Sequence, residues 1–283
     1  MHGHDVDTKD LHAVRRVVTE IYRELFPSGQ GDFVQNAFKW ATDAFNGNYG
    51  DFQKIDAKYH DFEHTLQGTL AFSRLLRGYH RGRATPSLTQ RAFELGLVAI
   101  LLHDTGYLKH RSDSEGTGAK YTLVHVSRSA DFAAVLLPEK GFTPAEIKSV
   151  QNMIRCTGVN ADLSTIPFSA DLERVIGYAL ATADLLGQMA APDYIEKLDI
   201  LYQEFEESNR YAGKPGGAAQ FRSAAELRSR TPQFWESYVR PKIDKDFRGL
   251  YRFLEDSEGR NPYIRKIESN IARLQQELST AAA

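Results

Sequence analysis

Cysteine occurs once in this chain, at Cys156, so an intrachain disulfide and a zinc site built from several thiolates are both excluded. An excess of either charge is also missing. Lys and Arg total 35 and Asp and Glu total 37, a formal net charge of −2 that gives no broad electrostatic drive toward nucleic acid or an anionic membrane. The longest apolar run, Leu95–Leu102, is far too short to span a bilayer. The opening MHGHDVDTKD lacks the apolar stretch that a secretory signal needs. These absences lead to the expectation of a cytoplasmic protein that engages neither nucleic acid nor membrane. What is present is an ordinary globular balance, 42% hydrophobic and 25% charged over 283 residues, enough for a sizeable core without staples.

Apolar residues recur at helical spacing almost throughout. Val14, Val17, Val18, Ile21 and Leu25 share one face, as do Phe33, Ala37, Trp40, Ala41, Ala44 and Phe45, with Asp32 placed to cap the second helix. A third helix is expected from about His60 to Gly78. Ser87–His103 ends in LGLVAILL, apolar on every side, which marks a helix surrounded by others. Thr143-Pro144-Ala145-Glu146 is a capping box that opens a helix to about Cys156. Asp171–Met189 and Pro192 to about Asn209 supply two more, and Tyr211–Ala219, with GKPGG inside it, reads as a loop. Thr231-Pro232 and Asn261-Pro262 each read as a cap followed by a first-turn proline, with Pro241 breaking or kinking the helix between them. In the last helix Ile264, Ile267, Ile271, Leu274 and Leu278 form a seam, to be packed on the chain's own body or against a second copy in a homodimer. No strand-like run has a partner. The fold class expected is all-α, with nine or ten helices: N-terminal helices over 1–50, a core over 51–210 and a helical extension over 211–283.

The residues with chemistry are mainly histidines. His60 and His64 are four apart in YHDFEHT, so on a helix they share a face. His103-Asp104 closes the most apolar helix, and Asp184 sits inside another, in ATADLLGQM. A carboxylate there must be paired, hydrogen-bonded or metal-bound, because burying a bare charge is costly. A mixed nitrogen and oxygen set of this kind suits a first-row transition metal, with Mg²⁺ able to share the carboxylates.

YHDFEHT, LLHDTGY and ATADLLGQM together resemble the metal-binding signatures of the HD-domain phosphohydrolase superfamily over about Tyr59–Met189. The tyrosine-histidine opening is most similar to the cyclic-nucleotide phosphodiesterase branch. The resemblance implies an HD-type helical bundle that hydrolyses a nucleotide-type phosphoester, a small molecule, with a phosphodiester favoured. It implies that His64, His103, Asp104 and Asp184 hold one divalent ion (Mn, Fe, Mg or Zn), with Asp104 bridging to a second ligated mainly by water. His60 matches the position of the general acid that protonates the leaving oxygen, and imidazole suits proton transfer near neutral pH.

Two departures stand out. Some relatives carry a glutamate in an HDxxE motif, where this chain has Tyr107, and the segment MIRCT lacks a histidine that some dinucleotide phosphodiesterases use. His125 is open between a substrate contact, a ligand to a second metal and a structural role. Lys109, with His110 and Arg111, is read either as a phosphate anchor or as a solvated helix end, and Arg128 as a substrate contact on the face of His125 or a structural residue. Gln188 is placed to orient Asp184, to read a substrate edge, or simply to face solvent. Tyr59, Phe62 and Cys156 are expected in the core. Rival readings to the enzyme are a degenerate HD module that binds a nucleotide or partner without turnover, and a metal-storage or di-iron oxygenase protein.

Overall fold

A computed structural model describes residues 6–29, 31–213 and 221–281. Among them the chain forms ten α-helices: α1 Leu11–Leu25, α2 Phe33–Phe45, α3 Phe62–Arg81, α4 Gln90–Leu102, α5 His125–Glu139, α6 Pro144–Arg155, α7 Asp171–Met189, α8 Tyr194–Tyr211, α9 Ala224–Phe234 and α10 Pro262–Ala281. The fold is all-helical. The described residues contain no strand, only an isolated antiparallel bridge between Phe52 and His110. None of their helices is long and apolar enough to cross a membrane.

The apolar runs bury as the periodicity predicts, in a cluster that extends from Val14 in α1 to Leu274 in α10. α4 lies at its centre, with Leu95–Leu102 buried on all sides. The one carboxylate that α4 buries, Glu94, accepts hydrogen bonds from Tyr22 (2.6 Å), Gln90 (2.8 Å) and Arg91 (2.9 Å). α3 and α7 pack against one another where Gly187 meets the backbone of Gln67 and Gly68; a Cβ on Gly187 would sit 2.8 Å from the Gly68 nitrogen. The α6 capping box forms as expected, with Thr143 and Glu146 bonded reciprocally.

Several expectations need correction. α3 starts at Phe62 rather than His60, because the Asp61 side chain accepts the His64 N–H at 2.9 Å and becomes the cap. Asp32 holds the cap position of α2, yet its side chain makes no capping hydrogen bond. Pro232 does not open a helix. α9 begins eight residues before it, at Ala224, and its cap is Ser223 rather than Thr231, accepting from the Glu226 N–H at 3.1 Å. Pro241 does not end the helical course, but regular α geometry gives way on either side of it to two wide π-helical turns, Trp235–Val239 and Lys242–Asp246. α5 has no counterpart among the expected helices, although Ala130, Ala133, Leu136 and Leu137 give it a buried stripe. Of the expected loop, residues 214–219 lie outside the described residues. The α10 seam is covered by the chain itself: Ile267 and Leu274 are fully buried, and Asn270 Nδ2 donates to the carbonyls of Met189 and Ala191, both at 2.9 Å.

Candidate metal centre

Three elements bring four side chains to one point. His64 lies in the first turn of α3, His103 and Asp104 end α4, and Asp184 comes from α7. His64 Nε2 is 3.3 Å from Asp104 Oδ2 and 3.2 Å from Asp184 Oδ1. His103 Nε2 is 3.3 Å and 3.4 Å from the same two oxygens. The four atoms thus alternate nitrogen, oxygen, nitrogen, oxygen around a small ring. His64, His103 and Asp104 form a buried group that could hold a metal ion, their ligand atoms all within 4.8 Å of one another.

The chemistry of this set fits an ion better than it fits internal hydrogen bonding. Charge-assisted N–H···O contacts run about 2.7–2.9 Å, shorter than any of the four distances. Donors at about 2.0–2.2 Å from a shared ion instead lie about 3.0–3.5 Å from one another. His103 Nε2 and Asp104 Oδ2 are buried and have no hydrogen-bond partner, a costly state unless something else satisfies them. The His103 Nδ1 bonds the Ile100 carbonyl at 2.7 Å, which leaves Nε2 with a lone pair when the ring is neutral. Electrostatics point the same way. Burial disfavours the charged form of every group, yet the carboxylates of Asp104 and Asp184 raise His103 to about 9. The surrounding imidazoles, His103 first, hold Asp104 and Asp184 below the ordinary carboxylate range despite their burial.

His60 is placed beside this ring by its own partner. Its Nδ1 is 2.6 Å from Glu204 Oε2, and the other Glu204 oxygen accepts the Tyr59 N–H at 2.8 Å. Burial lowers the pKa of His60, but the charges of Glu204, Asp104 and Asp184 outweigh it and the net direction is up. Sequence reasoning did not single out Glu204, which the fold brings onto His60. In α8 it continues the stripe of Tyr194, Leu198 and Leu201, one carboxylate among several on that helix, and the contact with His60 is what sets it apart.

His125 begins α5 with its Nδ1 bonded to the Thr122 carbonyl at 2.6 Å, and its Nε2 lies 3.9 Å from Asp104 Oδ1. Burial pushes its pKa down, in the opposite direction to His60. Both rings lie against Tyr107, fully buried, with centroid distances of 4.5 Å to His60 and 4.8 Å to His125. Gln188 donates to the Asp184 carbonyl at 3.2 Å and accepts from the Tyr59 hydroxyl at 2.9 Å, so it braces the centre.

The structure engages the basic groups elsewhere. Lys109 is buried, paired with Asp56 at 2.9 Å and donating to the Gly116 carbonyl at 2.6 Å, so neither a phosphate anchor nor a solvated helix end describes it. His110 stacks on Phe52, and Arg111 donates to the Gly47 carbonyl at 2.8 Å. Arg128 clamps the turn after Asp104, donating to the carbonyls of Gly106 at 2.7 Å and Leu108 at 2.6 Å, with its guanidinium over Tyr121. Phe62 packs on Phe45, and Cys156 is buried. A cavity of about 10 Å³, lined by Tyr59, Gln67, Gln188, Tyr194 and Lys197 among others, reaches His64. A larger cleft of about 560 Å³, by Ser164, Arg174 and Arg248, touches none of the centre's side chains.

A family model described as Npun_R2479-like matches residues 12–277. No curated protein matches the chain.

Proposed function

The chain belongs to the Npun_R2479-like family, and we propose that it is a metal-dependent phosphohydrolase with an HD-type helical architecture. The observation that carries this reading is the ring of two imidazole nitrogens and two carboxylate oxygens at 3.2–3.4 Å, with buried members lacking any other partner. His64, His103, Asp104 and Asp184 would hold one divalent ion (Mn, Fe, Mg or Zn), and Asp104 has a second oxygen to offer another. When bound, such an ion polarises a phosphoryl group and acidifies water. His60 supplies the proton. Its Nδ1 is committed to Glu204, so Nε2 is the position that exchanges with solvent or substrate. Water gives up a proton to solvent and adds at phosphorus, the bond from phosphorus to the leaving oxygen breaks, and that oxygen takes the Nε2 proton. Glu204 holds the imidazolium until then. A diester is the favoured substrate on the resemblance of YHDFEHT to the cyclic-nucleotide phosphodiesterase branch; the placed acid would serve the basic alkoxide of a diester and of a monoester alike. Cyclic mononucleotides come first and nucleoside monophosphates second.

The test is a panel of cyclic mononucleotides, linear and cyclic dinucleotides and 5′-monophosphates, incubated with protein carrying Mn²⁺ or Fe²⁺. Turnover of monophosphates alone defeats the diesterase choice. A second reading is a module that binds a nucleotide or partner without turnover. Silence across the panel with metal bound favours it.

A further inference from the structure

Tyr107 stands where some HD relatives carry a glutamate, and the proposed chemistry gives it no task. Its ring is fully buried. It meets the His60 ring at 4.5 Å and 15° and the His125 ring at 4.8 Å and 21°, near-parallel in both cases. The two imidazoles are only 5.9 Å apart. On opposite faces of the tyrosine they would be separated by about 9 Å, so they sit side by side against it. We propose that Tyr107 is a positioning residue, a floor that fixes the planes of the His60 and His125 rings. The proposal rests on the phosphohydrolase reading above.

Each imidazole has one polar tether, His60 to Glu204 and His125 to the Thr122 carbonyl. One hydrogen bond sets the direction of a ring nitrogen and leaves the ring free to swing about that bond. A flat surface against the ring removes the swing. Together the two contacts define where the opposite nitrogen points, which for a general acid decides whether the proton meets the leaving oxygen.

The floor is itself held. The Tyr107 N–H donates to the Asp104 carbonyl at 3.2 Å, and Arg128 clamps the carbonyls on either side. Gly106 lets α5 close on this turn, since a Cβ there would fall 2.0 Å from the His125 carbonyl oxygen. The buried Tyr107 hydroxyl meets the Thr122 side chain without forming a well-shaped hydrogen bond. Neighbouring Thr122 donates its own proton to the Ala119 carbonyl. The ring rather than the hydroxyl therefore carries the contact, and phenylalanine should replace it.

The experiment compares Tyr107→Phe and Tyr107→Leu, with Tyr107→Met in place of leucine if that variant melts early. Each is assayed on an alkyl phosphodiester and on a nitrophenyl ester, with metal content measured alongside. Tyr107→Leu is expected to lose roughly 10–100-fold in kcat on the alkyl ester, less on the nitrophenyl ester, with KM and bound metal little changed. Tyr107→Phe is expected to keep wild-type activity. In a His60→Ala background, Tyr107→Leu should cost little more, because the ring it positions is gone. Equal losses on both esters, additive losses in the double variant, or a phenylalanine variant as poor as leucine would each overturn the proposal. Nuclear magnetic resonance of the zinc-loaded protein decides it without turnover. The His60 and His125 ring protons should lie upfield in wild type and Tyr107→Phe and move downfield in Tyr107→Leu; unchanged shifts would reject the floor. If wild type holds metal and hydrolyses nothing, the phosphohydrolase reading fails by itself and the spectra still judge Tyr107.

Discussion

His60 and His103 are both raised above the ordinary imidazole range, but by different neighbours and with different consequences. For His103 the causes are Asp104 and Asp184, which share its ring of ligand atoms. Metal uptake must therefore displace a proton that the metal-free site holds firmly, and proton release on adding Mn²⁺ near neutral pH is the expected calorimetric signature. Asp104→Ala and Asp184→Ala should lower metal affinity by more than the ~10–100-fold typical of an outer hydrogen-bond partner, with Gln188→Ala inside that range. Retained occupancy in either aspartate variant would end the assignment. For His60 the main raising cause is Glu204. His60→Ala should keep its metal and lose roughly 10²–10⁴-fold on an unactivated ester. An acid works while protonated, so kcat/KM should fall as pH rises through the raised value. Glu204→Gln removes the support and should move that fall to lower pH; an unmoved pH profile would show that Glu204 does not hold the proton.

The centre depends on how closely helices approach. Gly187 lies three residues beyond Asp184, and Gln67 lies three beyond His64, so the tight crossing of α3 and α7 sits one turn from the ligands. Gly187→Ala has to push backbone apart at that point. It should weaken metal binding although alanine touches no ligand, as a metal titration of the folded variant would show. At α6 the prediction concerns stability. Arg91, with the Thr143 cap, holds Glu146 at about 2 despite some burial. A depressed carboxyl stabilises fully above its unfolded value of about 4.3 and loses that contribution as pH falls through about 2. Thr143→Ala should cost about 1 kcal/mol at neutral pH, and Glu146→Gln should flatten stability between pH 5 and pH 2, the effect kept small by solvent around the pair. These helices were legible because periodicity and caps are local signals. α3 and α7 read correctly to within a turn, and the four residues singled out by HxxxH, HD and a lone Asp in an apolar helix do come together in the fold. Glu204 was not legible, because one carboxylate among several on α8 acquires meaning only when α8 lies beside His60. Lys109 and Arg128 show the same limit: charge alone suggests a ligand, and tertiary contact reveals the carbonyls that engage them.

At the scale of the whole chain, an ion bound to the native state alone should raise stability by about 2.7 kcal/mol at a hundredfold excess over its dissociation constant. For a protein of this size that is roughly 5 °C in melting temperature. A chelator should reverse the gain, and a chelator-insensitive melt would argue that the ring holds nothing. The separation of the proposed ligands along the sequence has a further consequence, for the order of events in folding. Residues 64, 103, 104 and 184 meet only after α3, α4 and α7 have docked, and Glu204 joins from farther still. A chain leaving the ribosome therefore lacks the complete ring: when His64, His103 and Asp104 have emerged, Asp184 has yet to be made. Long loops must close before the ring exists. Metal should consequently slow unfolding while leaving the refolding rate almost untouched, the kinetic pattern of an interaction absent from the transition state. Specificity for the ion would then be chosen by the finished cage and not by the growing chain.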